Sequence, residues 1–204
     1  MYKVYGMSLS GNCHKIRMVL DHLAQPYEWI ETDIGQGASR TPEFLSRNPV
    51  GKVPVLELPD GRYLSESNAI IQYLANGSPL WPSDRFEQAD TLKWMFFEQN
   101  RHEPSVAEAR YIKLFLPADS PRLKELPGKH KTGNEAFSVM EQRLLESDFL
   151  VTSRCNVADI ALFAYTHVAE EGGFDMSGYP AIAGWIERIL ELPGFTRMVA
   201  QHGL

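Results

Sequence analysis

The sequence predicts an α/β domain over residues 1–77 and an all-helical domain over residues 85–204, and three observations carry that prediction. The chain opens strand, helix, strand and soon adds a hairpin; a Pro-rich connection, Ser78-Pro79-Leu80-Trp81-Pro82-Ser83-Asp84, has no periodicity; beyond it apolar residues recur only at helical spacing.

Tyr2 to Tyr5 reads as the first strand, and a loop from Gly6 to Gly11 leads to a helix with Cys13, Ile16, Val19, Leu20 and Leu23 on its apolar side and Asn12 as its cap. Pro26 closes the connection, and Tyr27-Glu28-Trp29-Ile30-Glu31 alternates as a second strand. A right-handed crossover would set the two strands parallel. The polar loop Asp33 to Arg40 precedes a short helix begun by Thr41-Pro42-Glu43 and stopped by Asn48-Pro49.

Lys52-Val53-Pro54 enters the apolar run Val55 to Leu58, which reverses at Asp60-Gly61 and returns through Tyr63-Leu64. That pattern is a hairpin. Ser65 is placed to cap the next helix, with Glu66 and Ser67 in its first turn and Ala69, Ile70, Ile71 and Leu74 on its apolar face.

In the helical part, a helix from about Arg85 carries Ala89, Leu92, Met95, Phe96 and Gln99 until Pro104 kinks or breaks it. Residues 117–133, with Pro117, Pro121, Pro127, Gly128 and Gly133, read as a mobile or variable segment. Phe137, Met140 and Leu144 mark another helix, and Asn156-Val157-Ala158-Asp159 opens the next with a reciprocal cap that makes Asp159 structural. Pro180 starts a helix containing Trp185, Ile186 and Ile189, and a last turn is expected around residues 195–199.

A net charge of -6 with pI near 5.5, and no Lys/Arg-rich run, exclude nucleic acid and anionic membranes as the main partner. No apolar segment approaches membrane-spanning length and no signal-peptide layout precedes the first strand, so a cytoplasmic protein is expected. Cys13 and Cys155 lack disulfide-framework, metal or Cys-x-x-Cys spacing, and the six histidines lack paired ligand spacing, so neither a disulfide nor a metal is expected. A small molecule is the default ligand.

Its class can be read at the Glu66-Ser67 corner. A helix N-terminus favours an anion and the neighbouring carboxylate a cation, which together suit a zwitterionic amino-acid head. With a cis peptide before Pro54, Val53 would keep its own N–H and C=O for an added extended peptide. Each feature alone is also an ordinary cap or strand boundary; their proximity in one hairpin-linked stretch singles them out.

With these motifs and the Asn156-x-x-Asp159 box, the chain resembles a cytosolic glutathione S-transferase over essentially its whole length, of the serine type, like theta or zeta bacterial members. The resemblance implies a thioredoxin-like first domain (βαβαββα), a linker at 78–84, and a helical domain that contributes the electrophile pocket. It implies that Pro54 is cis, that Val53 pairs with the cysteinyl part of glutathione, that Glu66 and Ser67 hold the γ-glutamyl end, and that Lys52 and Arg40 meet the glycyl carboxylate. In serine-type members the thiolate donor lies six residues before the apolar position that is Ile16 here, which selects Ser10 over Ser8. Asn12 is a second donor. Free thiols ionise near a pKa of about 8.5, so stabilising the thiolate is the catalytic task. Tyr2 and Tyr5 come too early to replace Ser10, and Cys13, three residues from it, is either a reactive thiol or, as favoured here, a buried one.

By the same resemblance the acceptor pocket lies between the domains, lined by Met7, Leu9, His102, Arg110 and Tyr111, with glutathione as co-substrate, no metal, and a homodimer as the assembly. The polarity of residues 99–111 suggests an acceptor with a polar or acidic group. A glutathione-dependent disulfide reductase, an isomerase, a dehalogenase-like lyase and a non-catalytic interaction module stand as alternatives on the same fold.

Overall fold

The structure is a computed structural model that describes residues 1–198. Its first unit comprises Met1–Ser78 and the segment that begins at Pro193; the second is Pro79–Leu192. In the first, strands β1 (Tyr2–Gly6), β2 (Tyr27–Glu31), β3 (Val55–Glu57) and β4 (Tyr63–Ser65) form one sheet in the order β2-β1-β3-β4. β1 and β2 are parallel, Tyr2 facing Tyr27, and the crossover between them is helix α1 (Gly11–His22). β3 runs antiparallel to both β1 and β4, closed at the Asp60-Gly61 turn.

Period-two alternation sends Tyr5 and Val55 to the side where Phe44, from helix α2 (Pro42–Arg47), completes a cluster with Ile30 and Val53. Thr41 caps α2 by accepting the Phe44 N–H at 3.2 Å, with Pro42 in the first turn. Helix α3 (Ser67–Ala75) packs on α1 and buries Ile70, Ile71 and Ala75, while Ala69 is exposed. The element order βαβαββα is the one the resemblance implied.

Two caps differ from the sequence expectation. Ser10 caps α1, its side chain accepting the Cys13 N–H at 3.4 Å, and Asn12 lies inside the first turn. Ser65 is held extended by pairing with Val55 and so cannot cap α3; the chain turns instead at Glu66, with φ of 68°, and no side chain caps the helix. A left-handed conformation at a non-glycine residue costs on the order of 1 kcal/mol.

The second unit is built on helices α4 (Arg85–Phe97), α5 (Glu103–Phe115), α6 (Leu126–Glu146), α7 (Val157–Thr166) and α8 (Pro180–Leu190). Pro104 does not break the chain's course. A π-turn over Glu98–His102, in which the Glu103 N–H reaches back to the Glu98 carbonyl, makes room for the proline ring in the first turn of α5. The stretch read as mobile or variable is mostly helical, with a 3-10 turn at Pro121–Glu125 followed directly by α6, which has Pro127 in its first turn and contains Gly128 and Gly133.

Every residue of α7 is buried, and its first turn shows the reciprocal Asn156/Asp159 cap. Asp159 also accepts from the Leu150 N–H and from Trp185 Nε1, both at 2.9 Å, tying α7 to the preceding loop and to α8. Its role is structural, as expected. The last described residues have no regular secondary structure, and they side with the first unit rather than with the helical one in which the sequence placed them. His14 donates to the Thr196 carbonyl at 2.8 Å, and His22 donates to that of Pro193 at 2.8 Å. Residue 199, the end of the expected last turn, lies outside the described residues.

Candidate active site

The loop between β1 and α1 is fixed from both sides. Ser10 donates its N–H to the Met7 carbonyl at 2.9 Å, and the Met7 N–H points at Cys13 Sγ, 3.4 Å away. The Ser8 N–H and hydroxyl both go to the Glu31 carboxylate, at 2.9 and 2.7 Å, which also receives Trp29 Nε1 at 2.7 Å. Burial would raise the Glu31 pKa, but these donors outweigh it and hold the carboxyl below its usual range. Ser8 is thus committed to Glu31, whereas Ser10 stands half-buried at the first turn of α1 with Leu9 beside it. Cys13 is fully buried, and burial pushes its thiol up to about 11. Tyr5 gives its hydroxyl to Glu57 at 2.7 Å, with burial and that bond lifting its pKa to about 12.

The turn before β3 is organised by Asn48, a buried residue the sequence did not single out. Its amide donates to the Lys52 carbonyl at 2.7 Å and accepts the Val50 N–H at 3.2 Å. Gly51 has φ of 68°, and a Cβ there would lie 2.5 Å from Arg40 Nη1, so glycine serves both the turn and the arginine laid across it. Arg40 donates to the Val50 carbonyl at 3.2 Å. Lys52 is exposed next in line, and the Val53–Pro54 peptide is cis. Val53 lies outside both β-ladders, and among the described residues its N–H and C=O have no partner.

At the start of α3, Glu66 is exposed and Ser67 is 5% exposed. The Ser67 hydroxyl donates to Asn12 Oδ1 at 3.1 Å, joining residues 55 positions apart in sequence. Under this bond lies Lys15, fully buried, whose Nζ donates to Ser67 Oγ at 3.3 Å and to Asn68 Oδ1 at 3.1 Å. Lys15 and Asn68 were not picked out from the sequence. The available signal was spacing, since Lys15 follows Asn12 by three and so shares its helix face.

The structure therefore brings Asn12, in the first turn of α1, into direct contact with Ser67 at the α3 corner, and lays the Arg40 side chain across the turn that carries Lys52 and Val53. Two family profiles match the chain: "Glutathione S-transferase, N-terminal domain" over residues 4–81 and "Glutathione S-transferase, C-terminal domain" over residues 106–193. The Disulfide-bond oxidoreductase YfcG of Escherichia coli (strain K12) is 30% identical across 94% of this chain and 93% of its own. The chain belongs to the glutathione S-transferase family. The crystal structure of a glutathione S-transferase from Pseudomonas fluorescens Pf-5 superposes with a TM-score of 0.94 at 49% identity, covering 98% of this chain and 99% of that one. The glutathione transferase URE2P6 from Phanerochaete chrysosporium, solved in complex with oxidized glutathione, gives a TM-score of 0.85 at 26% identity, covering 95% and 92%.

Of the residues expected to line the acceptor pocket of this family member, Met7 and Leu9 sit in the β1–α1 loop of the first unit. In the second unit His102 is fully buried, its Nε2 2.9 Å from Thr166 Oγ1, and its ring packs edge-on against Phe137. Arg110 is 3% exposed and held by Glu171 at 2.6 Å, so an acidic acceptor would have to displace that carboxylate. Tyr111 is 38% exposed and stacks on Phe115. No helix among the described residues is long and apolar enough to cross a membrane.

Proposed function

We propose that the chain is a serine-type glutathione transferase, in which Ser10, aided by Asn12, stabilises the glutathione thiolate for attack on a small electrophile. The observation that carries this is the Ser67–Asn12 hydrogen bond: it puts the corner suited to a γ-glutamyl head in contact with the turn that holds the thiolate donor. Glutathione would lie extended between them, its cysteinyl backbone pairing with the open N–H and C=O of Val53 and its glycyl carboxylate facing Lys52 and Arg40. At the N-terminus of α1 a serine hydroxyl and the helix dipole both favour a negative sulfur.

A glutathione-dependent disulfide reductase on the same residues is the second reading. It is favoured by the name of the relative YfcG, a disulfide-bond oxidoreductase, and by the oxidized glutathione in the URE2P6 complex. Within the family, the enzyme would act in the cytoplasm, in detoxification, and as a homodimer. Phe86 and Phe96 on α4, 77% and 64% exposed, supply the apolar surface that a partner subunit would cover.

The test is turnover of a panel of soft carbon electrophiles and of small mixed disulfides, with wild type and Ser10→Ala. A transferase conjugates the electrophiles, and loses about a hundredfold in rate with Ser10→Ala, the usual cost of one missing donor to a developing anion. Activity on disulfides alone selects the reductase. Binding of glutathione with no turnover of either class selects a non-catalytic module.

A further inference from the structure

Glu31 ends β2 at the surface, yet its carboxylate gathers three donors beside the loop that carries Ser10. Met7 to Ser10 is a single turn, closed by the Ser10 N–H on the Met7 carbonyl at 2.9 Å, with Ser8 and Leu9 at its corner and Ser10 as its last residue. Glu31 grips that corner from the neighbouring strand: Oε1 accepts the Ser8 N–H at 2.9 Å, and Oε2 accepts the Ser8 hydroxyl at 2.7 Å. Oε2 also accepts Trp29 Nε1 at 2.7 Å. The indole is itself held, under the Arg17 guanidinium 4.1 Å from its centre and against Gly6, where a Cβ would come within 2.7 Å of the ring. An ionised carboxylate has no proton to give, so all three bonds run toward Glu31. An exposed carboxylate is satisfied by water, so burial does not demand this arrangement. What it holds in place is the turn that ends on Ser10.

We propose that Glu31 is a positioning residue for the thiolate donor: it pins the β1–α1 turn to β2 and so fixes where Ser10 stands relative to the glutathione sulfur. It also engages the hydroxyl of Ser8, the other serine of that turn. Glu31 itself needs no contact with the tripeptide or the acceptor. This rests on the serine-type glutathione reading above.

Glu31→Ala removes the grip and Glu31→Gln removes only the charge. The glutamine oxygen can still take the Ser8 N–H, and its N–H2 can meet Ser8 Oγ as an acceptor. The pair separates position from electrostatics, because losing a negative charge near the sulfur would by itself lower the thiol pKa, and would do so in both variants. The readouts are the ultraviolet thiolate absorbance of bound glutathione against pH, the calorimetric Kd for glutathione, and the melting temperature. The expected result for Glu31→Ala is a bound-thiol pKa raised by about one, a tenfold loss of thiolate on the acid side, with Glu31→Gln close to wild type. In a Ser10→Ala background Glu31→Ala raises it no further, since Glu31 acts through Ser10. If Glu31→Ala does not fold, Glu31→Asp keeps the charge but falls one methylene short of the turn, and the same rise and the same lack of additivity are expected.

An unchanged or lowered bound-thiol pKa in Glu31→Ala, an equal shift in Glu31→Ala and Glu31→Gln, or a shift that persists in full in the Ser10→Ala background would overturn the proposal. Those outcomes leave the transferase reading standing. A wild type that binds no glutathione, or a Ser10→Ala variant whose bound thiol titrates as in wild type, removes the serine-type reading and the positioning role with it.

Discussion

Cys13 sits in the first turn of α1, where a helix N-terminus would favour a thiolate, yet burial pushes its pKa up to about 11. Loss of hydration outweighs the partial charge of the helix end, so the thiol stays protonated at neutral pH. Iodoacetamide should therefore leave Cys13 unlabelled in the folded protein and label it in urea, as mass spectrometry of the digested chain would show. Rapid labelling of native protein would make Cys13 a reactive residue after all. Asp159 is the second buried titratable group with a measurable consequence. Burial raises its pKa from 3.8 to about 6, against the pull of the Leu150, Asn156 and Trp185 donors. Between those values the folded state holds a proton that the unfolded chain has released, so this group's contribution to stability falls as pH rises from about 4 to about 6. Across that range the urea-denaturation advantage of wild type over Asp159→Asn should shrink by on the order of 2 kcal/mol. A constant advantage would mean that Asp159 is ionised throughout.

Among the elements, α6 poses a choice between propensity and packing. Gly133 lies mid-helix, where alanine is favoured by about 1 kcal/mol. A Cβ there would come 2.4 Å from the ring of Phe174, which is buried and locked edge-on between His130 and Phe137. Overpacking of this kind costs about 1–3 kcal/mol, so Gly133→Ala should lower the melting temperature despite its better helix propensity. A higher melting temperature would show that Phe174 can move aside. The same position explains why residues 117–133 read as a mobile or variable segment: glycine and proline punctuate sequences, and only the long-range contact with Phe174 reveals that this glycine belongs in a helix. The Asn156/Asp159 cap was legible because all its atoms lie within one turn. The Glu66 turn was not, since Ser65 satisfies every local criterion for a cap and is drawn away by its ladder with Val55. Pro104 kinks or breaks a helix by local rules, and the π-turn that joins α4 to α5 ahead of it leaves no local mark in the sequence.

For the whole molecule, the residues proposed for the glutathione site collect in one unit. Every residue proposed here to touch glutathione comes from the first unit: the start of α1, Arg40 and the turn closed by Asn48, and the Glu66-Ser67 corner at the start of α3. That part of the site was readable because its motifs are short and ordered along the chain. Lys15 and Asn48, which hold the motifs in place, were not, because a lysine in a helix and an asparagine before a proline look like solvated surface until the fold buries them. His102 and Arg110 went the other way, as polar residues expected at a pocket and found enclosed with Thr166 and Glu171. The helical unit therefore names no electrophile, in keeping with the general independence of substrate from fold. The most direct measurement is a crystal structure of the protein with glutathione. The expected result is the tripeptide paired with the Val53 backbone, its γ-glutamyl head at Glu66 and Ser67, and its sulfur within hydrogen-bonding reach of Ser10 Oγ. A groove that stays empty at saturating glutathione, or a sulfur bound away from Ser10, would contradict it.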